Sequence, residues 1–300
     1  MRREMVSGIV TNDPLQGQSR PIQIKSESRL FQIGAIETAS HGIAPLGAFS
    51  GALLSISFRD DSGQHTLGSA VLVHPGLAVT AKHVVSDWMA ALVSANAAAV
   101  AQAPTPTTLL LWDVEAITQV EDADLAILSL RFRAALPESF SIGHITTRTP
   151  RTSETVFLTG FTAEAATVPR GPQISIGGQL RVCHGEVIEV WPRGRDRLML
   201  PSASFAVNCP AFGGMSGGPV FDEGGHLMGV VSSSSEGDEI AYVSHIWPVL
   251  LARIEPRWPL SLPQTTLLHM CHKNGVSIAH PDAFKLRVID REGVIEYAPD

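Results

Sequence analysis

Short apolar runs rich in β-branched residues and leucine recur along most of the chain, and each is cut off by a turn cluster. A first series comprises "AFSGALLSISFRD", "HTLGSAVLVHPGLAVTAKHVV", "TTLLLWDVEAITQVED" and "DLAILSLRF", broken by stretches such as "DDSGQ" and "HPG". A second comprises "ETVFLTGFT", "QLRVCHGEVIEVW", "DRLMLPS", "SFAVN", "GGPVFDEGGHLMGVVSSSS" and "EIAYVSHI". Such runs, bounded by Gly, Pro, Asp and Ser, read as strands. Two series of about six strands predict an all-β protein of two six-stranded antiparallel barrels packed together, because closing each sheet on itself leaves no exposed edge.

Two helices interrupt this pattern. "VVSDWMAALVSANAAAVAQA" is alanine-rich and stops before Pro104 and Pro106, so it predicts one inserted helix. "IWPVLLARIEP" predicts a short helix after the second barrel, with its proline near the start where a missing N–H is tolerated. Residues 1–45 are polar, with Pro14, Pro21 and Pro45, and read as a surface or partly disordered extension. The first barrel is expected over 46–145, and the second, with its helix, over 146–262. A C-terminal extension over 263–300 carries a hairpin in "FKLRVIDREGVIEY".

Composition narrows the function. At 300 residues, 44% hydrophobic and 17% charged, the chain can bury a full core. A formal charge of −7 opposes a general phosphate-binding surface, so nucleic acid is not an expected partner. "WMAALVSANAAAVAQA" is too short and too broken by Asn96 for a membrane span, and no membrane contact is expected. The N-terminal segment begins with two arginines but never reaches a secretory apolar run, which predicts a cytoplasmic protein. Three cysteines, Cys183, Cys209 and Cys271, do not make a disulfide framework and read as reduced, packed thiols. "HMCH", with His269, Cys271, His272 and then His280, lacks a second ligand pair at finger-like spacing, so no metal or other cofactor is expected. "WPRGRDR", 191–197, reads as a solvated basic loop.

The chemistry concentrates in "CPAFGGMSGGPVFDEGG", 209–225, where Ser216 sits among glycines. A serine hydroxyl is a poor nucleophile at neutral pH unless a base takes its proton and donors hold the oxyanion that forms. Gly214 lets the backbone turn an N–H toward a reacting carbonyl, while Gly217 and Gly218 permit close passage of neighbouring chain. His83 in "GLAVTAKHVV" follows an apolar strand and can serve as base. A carboxylate must accept the other imidazole N–H. Asp124 in "EDADLAILSL" opens an apolar strand and fits, with Asp122 and Glu121 as neighbouring alternatives.

His83 in "TAKHVV", Asp124 in "DLAIL" and Ser216 in "GMSGGP" together resemble the His, Asp, Ser series of the trypsin-like (chymotrypsin-fold) serine peptidases. The intervals, 41 and 92 positions, suit one barrel followed by most of another, and "TGF" and "LMGVVSS" resemble family strands. The resemblance covers about residues 47–255. It implies that Ser216 attacks, that His83 is general base and then acid, and that Asp124 orients His83. It further implies an oxyanion hole from the N–H groups of Gly214 and Ser216, and pairing of substrate backbone along Ser232.

Two departures refine this expectation. Members activated by cleavage carry an aspartate before the serine, which pairs with a freed N-terminus; here that residue is Met215, so no such pair can form, although "SGIVT" at 7–11 resembles a freed terminus. The family's Trp and Gly after the pairing serine are replaced by Ser233 and Ser234. With Pro210, Ala211 and Gly213 as pocket walls and Tyr242 at the floor, a small or medium apolar P1 residue is expected. The sequence thus predicts an intracellular serine endopeptidase acting on a protein substrate through an acyl-enzyme. A catalytically silent scaffold that binds a protein partner, or a protease switched on by a regulatory protein at the terminal extensions, are the alternatives.

Overall fold

The computed structural model describes residues 3–9, 21–31, 42–60, 63–93, 100–133, 140–162, 178–197, 199–234, 239–259, 262–274, 278, 285–288 and 295–298. Two N-terminal strands, Arg3–Ile9 (β1) and Pro21–Arg29 (β2), pair antiparallel. The first barrel follows: Leu53–Asp60 (β3), Gly63–His74 (β4), Leu77–Thr80 (β5), Val100–Pro104 (β6), Leu109–Gln119 (β7) and Ala126–Phe132 (β8). They close in the order β3-β4-β5-β8-β7-β6. A further strand, Phe140–Gly143 (β9), leaves this barrel and runs parallel to β2.

The second barrel is Thr155–Phe161 (β10), Leu180–Trp191 (β11), Ser204–Val207 (β12), Pro219–Asp222 (β13), Leu227–Ser234 (β14) and Ala241–His245 (β15), closed in the order β10-β11-β12-β15-β14-β13. The expected pair of six-stranded antiparallel barrels is what forms. Its physical basis is visible in β7, where Leu110, Trp112 and Val114 are buried and alternate with half-exposed neighbours, as a strand with one face on a core requires.

The inserted helix is a correction. Among the described residues of this stretch only Lys82–Ser86 (α1) and Met89–Leu92 (α2) are helical, and its last residues, from Val100, form strand β6, paired with β3 and β7. Ala101 and Ala103 are fully buried there, so closure of the barrel outweighs alanine's modest preference for helix. Trp247–Leu250 forms a short 3₁₀ turn with Pro248 near its start. In the C-terminal segment Leu267–Asn274 (α3) is helical, which the sequence reading did not anticipate, and Leu267, Met270 and Cys271 are buried on it while His269 is exposed. His280 lies outside the described residues. Lys285–Val288 pairs antiparallel with Ile295–Ala298.

One core cluster runs through both barrels, joining Leu54, Leu72 and Leu128 of the first to Phe161, Phe221 and Val230 of the second. Residues just before β3 belong to this seam as well. Phe31, two residues beyond β2, lies with its ring 5.2 Å from Phe49 and 5.4 Å from Phe221. The polar extension therefore carries a buried aromatic anchor, which its composition did not signal. A smaller cluster fills the second barrel with Val156, Phe205, Met215, Met228 and Val243.

Candidate active site

The two barrels contribute different halves of the site. Strand β5 ends at Thr80, and the single turn α1 that follows presents His83 with its side chain about half exposed. Asp124 stands in the turn before β8, 12% exposed. Its carboxylate accepts the His83 backbone N–H at 3.0 Å, and its Oδ2 lies 2.9 Å from His83 Nδ1. Glu121 and Asp122 are exposed and do not share this contact, so geometry selects Asp124 among the three carboxylates. A carboxylate on Nδ1 fixes the tautomer that carries its proton there and leaves Nε2 free to accept one.

Asp124 Oδ2 is also the acceptor for the hydroxyl of Ser232, which is buried on β14. The serine assigned to the substrate strand thus also holds the carboxylate from the second barrel. A cavity of about 420 Å³ opens beside this trio, lined also by Asp87, Asp122, Met199, Pro201 and Ser233.

Ser216 is half-buried in the loop between β12 and β13. Its own backbone carbonyl accepts from Ser69 N at 2.8 Å. Gly217, at φ +78°, passes so close to the end of β5 that a Cβ there would lie 2.1 Å from Thr80 Oγ1 and 2.9 Å from the Ala81 nitrogen. That close approach needs glycine and seats the backbone beside Ser216 against the residues leading to His83. No side-chain hydrogen bond joins Ser216 to His83 among the described residues, in keeping with the looser geometry of unliganded sites.

The loop's amides separate into two groups. Met215 N–H donates to Phe212 O, Gly217 N–H to Val231 O and Gly218 N–H to Met215 O, at 3.0, 2.8 and 2.9 Å. Neither Gly214 nor Ser216 donates its N–H to a described residue. Gly214 adopts φ +91°, which turns its amide out of the loop's internal bonding. Met215 is fully buried in the second core, and its sulfur lies 3.5 Å from the Phe212 nitrogen.

The trypsin-like peptidase domain matches residues 68–230. The chain belongs to that family. This trypsin-like peptidase domain has the family's serine peptidase fold, with the His83–Asp124 pair and Ser216 inside the matched span. No sequence among the curated proteins matches it. Among solved structures it is similar to the Rv3671c protease of M. tuberculosis in its active form, with 17% identity over 77% of this chain and 83% of that one and a TM-score of 0.48. The same protease in its inactive form gives 18% identity, 67% and 87% coverage and 0.44. The HtrA-type protease AlgW with a tripeptide gives 20% identity, 65% and 56% coverage and 0.44.

The expected pocket residues divide. Pro210 and Gly213 are exposed and Ala211 packs on the second core, all in the nucleophile loop. Ser233 and Ser234 pair with Tyr242 and Ala241 across β14 and β15. Ala241 and Val243 face the core, so alternation turns the Tyr242 ring out of the barrel interior, 4.5 Å under the Arg195 guanidinium and 6.3 Å from Trp191. Ser69 and Thr80 are supports the sequence reading missed, and the available signal was the Gly68–Ser69 pair in an otherwise apolar strand.

Proposed function

We propose that this chain is a serine endopeptidase in which Ser216, His83 and Asp124 act as a catalytic triad on a protein substrate. The observation that supports it most is the division of amides in the nucleophile loop: the N–H groups of residues 215, 217 and 218 are spent inside the protein, and those of Gly214 and Ser216 are left for an oxyanion. Ser216 Oγ attacks the scissile carbonyl carbon while its proton passes to His83 Nε2. Asp124 stabilises the imidazolium, and the carbonyl oxygen takes up its negative charge against the two amides. Collapse breaks the C–N bond as His83 returns the proton to the leaving amine, and water repeats the sequence on the acyl-enzyme.

A small or medium apolar P1 residue fits the uncharged loop 210–214, and substrate backbone pairs along Ser232. The reading includes a reducing, cytoplasmic setting, in keeping with three unbridged cysteines. A fluorophosphonate should label wild type at Ser216 and leave Ser216→Ala unlabelled, with turnover of a peptide library lowered on the order of a million-fold. A folded wild type that takes no label is a binding scaffold instead. A clear preference for Lys, Arg or Glu at P1 would overturn the pocket assignment alone.

A further inference from the structure

Ser69 interrupts an apolar stretch of β4 and is fully buried. A buried hydroxyl is costly unless its bonds are made, and here both are made across the seam. Its Oγ donates to the Gly214 carbonyl at 2.9 Å and accepts from the Phe161 N–H at 2.8 Å. Its backbone is engaged too: the N–H donates to Ser216 O at 2.8 Å, and the carbonyl accepts from Thr80 Oγ1 at 2.7 Å. One residue of the first barrel thereby grips the carbonyls on both sides of Met215.

We propose that Ser69 is the positioning residue of the oxyanion hole, its hydroxyl fixing the Gly214 peptide from the opposite barrel. This rests on the serine peptidase reading above. A hole works only if its donors are aimed before charge develops. Glycine supplies the φ of +91° that Gly214 needs but does not enforce it, because glycine rotates with little steric restraint. Enforcement comes from the next peptide plane, which is pinned at both polar atoms: the Gly214 C=O by Ser69 and the Met215 N–H by Phe212 O. Alanine at 69 would fill nearly the same space and leave that carbonyl without its donor, so that the plane is held only through Met215 N–H and the Gly214 N–H is less tightly aimed.

The test is the rate at which a fluorophosphonate labels the full chain. In that reaction Ser216 Oγ bonds to phosphorus, fluoride leaves, the proton goes to His83, and the phosphonyl oxygen occupies the oxyanion hole. Ser69→Ala should be labelled about tenfold to a hundredfold more slowly than wild type, to the same final stoichiometry and with the same pH of half-maximal rate. Ser69→Thr, which keeps the hydroxyl, should stay within about threefold of wild type. If Ser69→Ala does not fold, Ser69→Cys, similar in shape with a far weaker donor, is read in the same way. A wild-type rate in Ser69→Ala overturns the proposal, as does a lowered stoichiometry whose remaining fraction reacts at the wild-type rate, or a folded Ser69→Thr as slow as alanine. Failure of wild type itself to label at Ser216 instead overturns the peptidase reading on which it stands.

Discussion

Met215 occupies the position where cleavage-activated relatives would carry an aspartate, and its burial says what replaces that ion pair. The side chain is fully enclosed in the second core, and the chain of β10 passes so close that a Cβ at Gly160 would sit 2.8 Å from Met215 Cα. The nucleophile loop is thus anchored by an apolar contact that forms as the barrel folds. Met215→Asp should cost about 3 kcal/mol or more in urea unfolding, because the carboxylate would be buried without a partner. Met215→Leu should cost under about 1.5 kcal/mol, since volume and polarity are kept. Sequence alone excluded an ion pair at Met215, but its enclosure depends on Gly160, far away in the chain. The orientation of Tyr242 is hidden for a related reason: which face of β15 points inward follows from pairing with β12 and β14, and not from the residue's size.

At the level of elements, barrel closure and the seam between barrels are made by pieces that look ordinary in isolation. β6 reads as the end of a helix until the barrel's need for a closing strand is counted. Ala101→Glu should therefore lower stability by about 3 kcal/mol or more in thermal or urea unfolding, since it would place a lone charge in the core, whereas on an exposed helix face it would be nearly neutral. Phe31 ties the N-terminal segment to Phe49 of the first half and Phe221 of the second. Phe31→Ala should cost about 3–5 kcal/mol, and the same unfolding measurement reads it. Strand-period texture, turn clusters and the three family motifs around His83, Asp124 and Ser216 were legible because each is a local pattern. The extension's anchor was not, because a single phenylalanine among polar residues shows its burial only when the surfaces it joins are assembled.

For the whole molecule, each barrel encloses a neutral histidine. His74 at the end of β4 and His245 at the end of β15 are buried, and desolvation pushes each down to about 4. His245 is held by Arg148 O at 2.9 Å from its Nε2. Unfolded, both would titrate near the ordinary histidine value, so between about pH 6.5 and 4 the unfolded chain binds protons that the folded chain refuses. Stability contributed by these sites is fully present above that window and is lost as pH falls through it, on the order of 3 kcal/mol for each. Unfolding free energy measured across pH 4–7 should show this slope, and His245→Gln should remove about half of it; an unchanged slope would exclude the assignment. The division of the site between barrels also has a consequence for synthesis. His83 and Asp124 are made early, while Ser216 follows Asp124 by 92 positions and its carbonyl accepts from Ser69 N of the first barrel. In the proposed peptidase reading, a nascent chain would carry His83 without its nucleophile until the second barrel has emerged and closed, which would keep a growing polypeptide from cutting itself or its neighbours on the polysome.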